Sequence, residues 1–289
     1  MGNFERIKPF LRWAGGKSQS VRYLIQLIPT VFSEYYEAFL GAASLYFSLD
    51  IIKAVISDNN PALIRCYLGV KDFPEKTFEI LQSLINECTE NQYYKIRSEF
   101  NNKTISENYK FAAIFIYLNK TCFNGIWRVN QKGEFNVPYG FKINPPFPSK
   151  ELLISASQHL KKADIISGDY REITKNAKSN DFLYFDPPYP QLKPSSFIHY
   201  TKEKFNDQDH YKLSEHVKYL HKKGCKILIS NSDLPQIRNY YPNKEGFYHF
   251  PINVTYMLGA NGSRDKINEL AITNYPVNNT NLLLYRKKA

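Results

Sequence analysis

Short apolar runs that end on an acid or a small polar residue recur along the chain. They include "AVISD" (54–58), "ADIISGD" (163–169), "DFLYFD" (181–186) and "KILISNS" (226–232). Such runs have the length of buried parallel strands delivering side chains to one edge of a sheet. "YYEAFLGAAS" (35–44) reads as a strand, a Gly/Ala turn and then a helix through Leu45, Tyr46 and Leu49. Between the strands lie helical spacings. Val21, Leu24, Ile25 and Ile28 fall at i, i+3, i+4 and i+7, and Leu213, Val217 and Leu220 share a face after an Asp207 cap. The alternation predicts a doubly wound α/β domain. Near the end, "GFYHFPINV" and "INELAITNY" read as an antiparallel pair joined by the polar loop "MLGANGSRDK".

Residues 62–162 break this alternation. Phe78, Leu81, Leu84 and Ile85 share a helical face, and "FAAIFIYL" (111–118) is a second apolar helix. "CFNGIWRVNQKGEFNVPYG" (122–140) combines Asn-Gly, Lys-Gly and alternating side chains, which predicts a β-hairpin with its tip at Gln131–Gly133. We therefore expect a mainly helical insert at 62–162 within a domain made of 1–61 and 163–289.

Composition narrows the chemistry. The 289-residue chain carries a formal charge of +11, which favours a polyanionic partner such as nucleic acid. Its longest apolar run is far shorter than a membrane-spanning helix, and the N-terminus shows no export signal. Four scattered cysteines without a C-x-x-C pair fit free thiols in a reducing cytoplasm. The histidines lack metal-ligand spacing; those at 210, 216 and 221 read as surface residues, and no metal is expected.

Two segments carry candidate chemistry. "FLRWAGGKS" (10–18) ends like a phosphate-binding loop, yet Leu11 stands where the first glycine belongs and no apolar strand precedes it. "YFDPPYP" (184–190) ends a strand on Asp186. Two prolines then stiffen the turn and present carbonyl oxygens without amide donors. Asp186 and the Pro187 carbonyl suit the two N–H bonds of an exocyclic amine, with Tyr189 stacked on its ring. Two acceptors favour a pyramidal nitrogen whose lone pair can attack an electrophilic methyl group.

The ordered blocks "FLRWAGGK", "EAFLGAAS", "ISDNN", "CFNGIWRVNQKGEFNVPYG", "SGDY", "YFDPPY", "SNS" and "INELAITNY" resemble those of the Dam-like DNA adenine methyltransferases. The resemblance runs from Phe10 to Tyr275. It implies a Rossmann-like S-adenosylmethionine-dependent methyltransferase domain with an inserted, mainly helical target-recognition domain carrying a β-hairpin. It further implies transfer of a methyl group to N6 of a flipped-out adenine in double-stranded DNA, with GATC the family's common target and a longer site such as GATATC served by related hairpins. By the same resemblance, Trp13, Lys17, Phe39, Gly41, Asp58, Asp169 and Asp186 would contact the donor. Ala43 replaces the second glycine of the family's donor loop. Arg12, Phe123, Asn124, Ile126, Arg128 and Pro138 would meet DNA, with Arg264 on phosphates. A restriction–modification or Dam-like role follows, with functional pairing to a restriction endonuclease and a monomer or weak dimer. The alternatives are an RNA adenine or protein glutamine methyltransferase, or a non-catalytic DNA-binding protein of the same fold.

Overall fold

A computed structural model describes residues 6–190, 205–258 and 263–277, without the side chains of 254–258 and 263–267. In chain order its elements are α1 (Val21–Leu24), β1 (Tyr35–Glu37), β2 (Ala54–Asp58), α2 (Pro61–Asp72), α3 (Pro74–Ile85), α4 (Glu90–Asn101), α5 (Asn108–Thr121), α6 (Lys150–Leu160), β3 (Ala163–Ser167), α7 (Tyr170–Thr174), β4 (Phe182–Phe185), α8 (Asp207–Lys222), β5 (Lys226–Ser232), α9 (Pro235–Tyr240), β6 (Tyr248–Leu258) and β7 (Ser263–Thr273). This is a mixed α/β fold with sheet and flanking helices, as the alternation predicts. The chain forms two compact units, one from residues 6–16 and 40–169, the other from 17–39, 170–190 and 205 onward.

In the first unit, β2 and β3 pair in parallel from Ala54↔Ala163 to Asp58↔Ser167. Asn60 caps α2 by accepting from the amides of Ala62 and Leu63, and Pro61 occupies the first turn, where its missing N–H is not needed. Helix α5 is buried from Phe111 to Thr121, so its apolar character all round marks a central helix. Gly69 lets α2 approach it: a Cβ there would lie 2.2 Å from the Asn108 carbonyl oxygen. Phe100, Phe111, Phe115, Trp127 and Phe135 form a continuous ring cluster, with Phe115 and Trp127 stacked at 4.5 Å. Each such ring removed from water contributes ~2–3 kcal/mol. Residues 62–162 are mainly helical, as expected. Helix α2 packs on β2 and β3, and Lys71 Nζ donates to the Ala163 carbonyl at 2.8 Å.

In the second unit the strand order is β1-β4-β5-β7-β6, with β1/β4 and β4/β5 parallel and β5/β7 and β6/β7 antiparallel. Strand β4 is buried along its whole length and β5 nearly so, which explains their unbroken apolar sequences. Helix α8 begins with a reciprocal capping box between Asn206 and Asp209, one residue earlier than the expected Asp207 cap.

Two expected helices are shorter than their spacing suggests. Val21–Leu24 gives way to a 3-10 turn at Ile25–Leu27, and Ile28 is extended ahead of Pro29. After the Gly/Ala turn only a 3-10 turn, Tyr46–Ser48, forms. Leu45, Tyr46, Phe47 and Leu49 are all buried, so their apolar spacing reports burial on every side. Among the described residues, no helix is long and apolar enough to cross a membrane.

Candidate active site

In the first unit Asp58 ends β2 and organises two segments at once. One carboxylate oxygen accepts from the Gly41 amide at 3.0 Å, the other from the Asn60 amide at 2.9 Å. Burial pushes the Asp58 carboxyl above its ordinary range, against the opposing pull of the Gly41, Asn60 and Asn59 amides. The turn it anchors is left-handed twice: φ is +48° at Gly41 and +56° at Ala43. A side chain at 41 would press to 3.0 Å from Cδ1 of Trp13, so the indole lies against this turn. Trp13 is half-buried and stacks on Trp127 at 6.0 Å and on Phe115 at 6.3 Å, tying the turn to the ring cluster. Asp169 is half-buried and immediately precedes α7.

The hairpin belongs to the same unit. Its strands make only isolated bridges, Cys122↔Tyr139 and Val129↔Phe135, and its tip closes through Gly133 N–H to the Asn130 carbonyl at 2.9 Å. Side chains alternate along it. Trp127, Phe135, Val137 and Tyr139 are buried, whereas Phe123, Asn124 and Pro138 are exposed and Ile126 and Arg128 half-exposed. Ile126, Arg128 and Pro138 face outward by the two-residue period, whereas Phe123 and Asn124 are exposed in the 3-10 turn Phe123–Gly125 at the hairpin's base. Asn136 orients Arg128, accepting from Nε at 2.8 Å. Arg12 joins this group. The buried Asn119 side chain holds the Arg12 backbone amide at 2.9 Å and its carbonyl at 2.7 Å. A Cβ at Gly125 (φ +64°) would fall 2.5 Å from the Arg12 Cδ, so the glycine makes room for that side chain. Lys120, with Arg12 and Lys142 nearby, is pushed down to about 8, first by burial and then by those two cations. The Arg264 side chain lies outside the described residues.

In the second unit Asp186 leaves the end of β4 and pairs with Lys17 at 2.8 Å. Both are largely buried, and the Lys17 ammonium also sits 4.6 Å from the Tyr189 ring centroid. Burial raises the Asp186 carboxyl to about 6. Lys17 first, and the neighbouring Tyr189 hydroxyl less, oppose that shift, and the charge of Glu269 adds to it. Phe39 packs against Tyr170, Phe185 and Phe205 at centroid separations of 5.4, 6.4 and 5.9 Å.

Sequence reasoning passed over several residues of these groups. His210, expected at the surface, is buried on α8, hydrogen-bonded to the Pro188 backbone and edge-on to Phe205 at 4.7 Å. His216 and His221 are likewise engaged, with Thr174 and Asn274 respectively. Asn119 and Glu269 were also missed. Glu269 interrupts the apolar end of β7 and Asn119 directly follows the apolar run 111–118, and those positions were the available signal. Among the described residues no cluster of His, Cys, Asp and Glu could hold a metal ion.

Residues 13–256 match the model of the D12 class N6 adenine-specific DNA methyltransferases. The chain belongs to this family. It is 38% identical over 275 residues to the type II methyltransferase M1.LlaDCHI of Lactococcus lactis subsp. cremoris, covering 93% of this chain and 96% of that protein. It is 39% identical over 290 residues to the type II methyltransferase M.MjaIII of Methanocaldococcus jannaschii, covering 93% and 99%. A DNA adenine methylase of Serratia marcescens shares 33% identity over 269 residues, covering 91% and 97%. Membership places the chain among the N6 adenine-specific DNA methyltransferases, an S-adenosylmethionine-dependent family.

Proposed function

We propose that this methyltransferase acts on an adenine flipped out of duplex DNA, within GATC, as the modification partner of a restriction endonuclease or in a Dam-like role. The observation that carries the catalytic part is the largely buried Asp186, paired with Lys17 and followed by the rigid Pro187-Pro188-Tyr189 turn. Asp186 and the Pro187 carbonyl would accept the two N–H bonds of the target amine. Tyr189 would stack on the base with the ring face that Lys17 does not cover. Adenine within a duplex hides its amine, so this arrangement requires extrusion of the base.

S-adenosylmethionine would supply an activated methyl group on sulfur. The residues present suit it: Asp58 fixes a left-handed turn in which Gly41 lacks the Cβ that would strike Trp13. Asp58 would accept from the donor's ribose hydroxyls and Asp169 would meet its adenine, while the family resemblance assigns Trp13, Phe39, Lys17 and Asp186 to further donor contacts, Lys17 at the methionine end. In the 62–162 recognition region, Arg128 and Arg12 would read guanine edges, Phe123 would wedge into the vacated stack, and Asn124, Ile126 and Pro138 would line the duplex. Lys120 and Lys142 supply positive charge that a phosphate would relieve. Arg264 would add a phosphate contact. A single copy per site suffices for one transfer, consistent with a monomer or weak dimer.

Incubation with labelled donor and duplexes carrying GATC, GATATC or neither tests the proposal. We expect incorporation into GATC, and loss of incorporation by at least ~100-fold in Asp186→Ala with duplex binding retained. Labelling of every adenine duplex alike would sink the site assignment. Wild-type turnover by Asp186→Ala would sink the catalytic one, and a wild-type protein that binds duplex without transferring methyl would return the non-catalytic reading.

A further inference from the structure

One face of the second unit's sheet carries three acids, Glu37 and Glu269 buried and Asp186 largely so. Glu37 is in register with Tyr184, and paired neighbours in a sheet point to the same side. The Tyr184 hydroxyl meets Ser230 Oγ at 2.9 Å, which puts Ser230 on that side. Ser232, two residues on, shares it, and Glu269 is the cross-strand partner of Ser232. Asp186 is two residues beyond Tyr184, just past the last β4 pair, Phe185↔Ile229. Glu37 and Glu269 are 2% and 3% exposed, so neither carboxylate is a solvated bystander. A buried carboxylate costs several kcal/mol in desolvation, which a purely apolar strand would avoid. Glu37 accepts from Tyr35 Oη at 2.7 Å, and Asp186 is held by Lys17.

We propose that Glu269 is a positioning residue for Asp186, its negative charge keeping the Asp186 carboxylate basic enough to take the proton that leaves the adenine amine. The inference rests on the methyltransferase reading above. In the transfer, the amine lone pair bonds the methyl carbon while the carbon–sulfur pair goes to sulfur. One N–H proton passes to Asp186, and its electron pair stays on nitrogen. An ordinary, strongly acidic carboxylate would bind the amine but hold that proton weakly. Among the described residues, the groups that face Asp186 are Lys17 ahead of α1, Tyr189 in its own turn, Tyr184 on β4 and Glu269 on β7; Lys17 and Tyr189 favour the ionised form, whereas Glu269 disfavours it. Glu37 on β1 acts on Tyr184, and His210 on α8 is neutral above pH of about 4.

The test compares Glu269→Gln, Glu269→Leu and Glu269→Asp with wild type, using single-turnover methylation of an adenine duplex across pH and calorimetric donor binding. Gln and Leu both remove the charge, so one of them suffices if the other fails to fold. We expect the acid limb of the rate profile to move down by about half a unit to one unit in the neutral variants. The rate above the limb should fall roughly two- to fivefold, with duplex KM and donor affinity unchanged. Glu269→Asp should restore the wild-type limb. A neutral variant whose limb superimposes on wild type overturns the inference, as does a Glu269→Asp limb displaced like the neutral ones. Absence of transfer by the wild type to any adenine duplex would instead sink the functional reading itself.

Discussion

The outward face of the hairpin and the turn after β4 achieve order by opposite means. At the hairpin, neutral contacts do the positioning: Asn136 orients Arg128, Asn119 holds the Arg12 backbone, and a buried ring cluster anchors the inward side chains. The cations themselves stay accessible. At the turn after β4, charge is buried, with Lys17, Asp186 and Glu269 all shielded from water. A surface that must exchange counterions for phosphates gains from exposed charge, since released ions drive binding. A group that must accept a proton gains from burial, because desolvation sets its acidity. Substitutions in the two regions should therefore fail differently, one in sequence choice and the other in pH response.

The largest stability effect we expect lies behind the buried turn. Burial lowers His210 from 6.5 to about 4, with Asp207, Asp209 and the Pro188 bond opposing. A depressed histidine contributes stability that is full above 6.5 and lost as pH falls toward 4. Asp186 runs the other way. Its carboxyl is raised from 3.8 to about 6, so its contribution is full below 3.8 and lost as pH rises through about 6. At ~1.4 kcal/mol per pH unit, each amounts to about 3 kcal/mol, and the two nearly cancel between pH 4 and 6.5. His210→Asn keeps a donor for Pro188 but does not titrate. On acidification from pH 6.5 to 4 it should gain about 3 kcal/mol relative to wild type in urea unfolding. Parallel curves for the two proteins would show that His210 titrates as it does in water, and would remove the buried-charge side of the contrast.

A smaller effect should appear on the exposed side. Arg128→Ala leaves the inward rings in place, so stability should hold while discrimination between the target and single-base variants falls by ~1–3 kcal/mol. Competition binding on variant duplexes measures this. A uniform loss across all sequences, accompanied by a weaker salt dependence, would mark Arg128 as a phosphate contact and blur the distinction between reading and neutralising.

Much of this was legible in the sequence, for identifiable reasons. Strands β2 to β5 carried their pattern because each is a short apolar run ended by a polar residue, and the hairpin itself was legible from the Asn-Gly and Lys-Gly pairs and the alternation between them. Asp186 stood out because few other local chemistries place an acid before two prolines. The partnership of Lys17 with Asp186 was hidden, since 169 positions separate them and no periodicity links them. His210 was misread because a helical histidine among Asp207, Asp209 and Lys212 looks solvated until α8 is seen packed on the turn. The hairpin lacks regular ladders because Asn124 and Gly125 both take left-handed backbone at its base, a kink that Asn-Gly permits but does not announce.

The smallest effect concerns Ala43, in the first unit's turn that Asp58 anchors. Alanine stands there where the family pattern has glycine, and the observed φ is +56°, where an L side chain is strained by ~1–2 kcal/mol. Ala43→Gly relieves that strain, but it also exposes the chain to more unfolded-state freedom and deletes a fully buried methyl worth ~0.8 kcal/mol. These terms oppose each other, so the melting free energy should change by less than ~1 kcal/mol. Donor affinity should be unchanged, because the Asp58 bond to Gly41 does not involve residue 43. Ala43→Val at the same φ adds β-branching in a packed site and should cost several-fold more. A large gain in stability or donor affinity from glycine would mean that the turn is held in place by strain, unlike the neutral hydrogen bonds that order the hairpin beside it in the same unit.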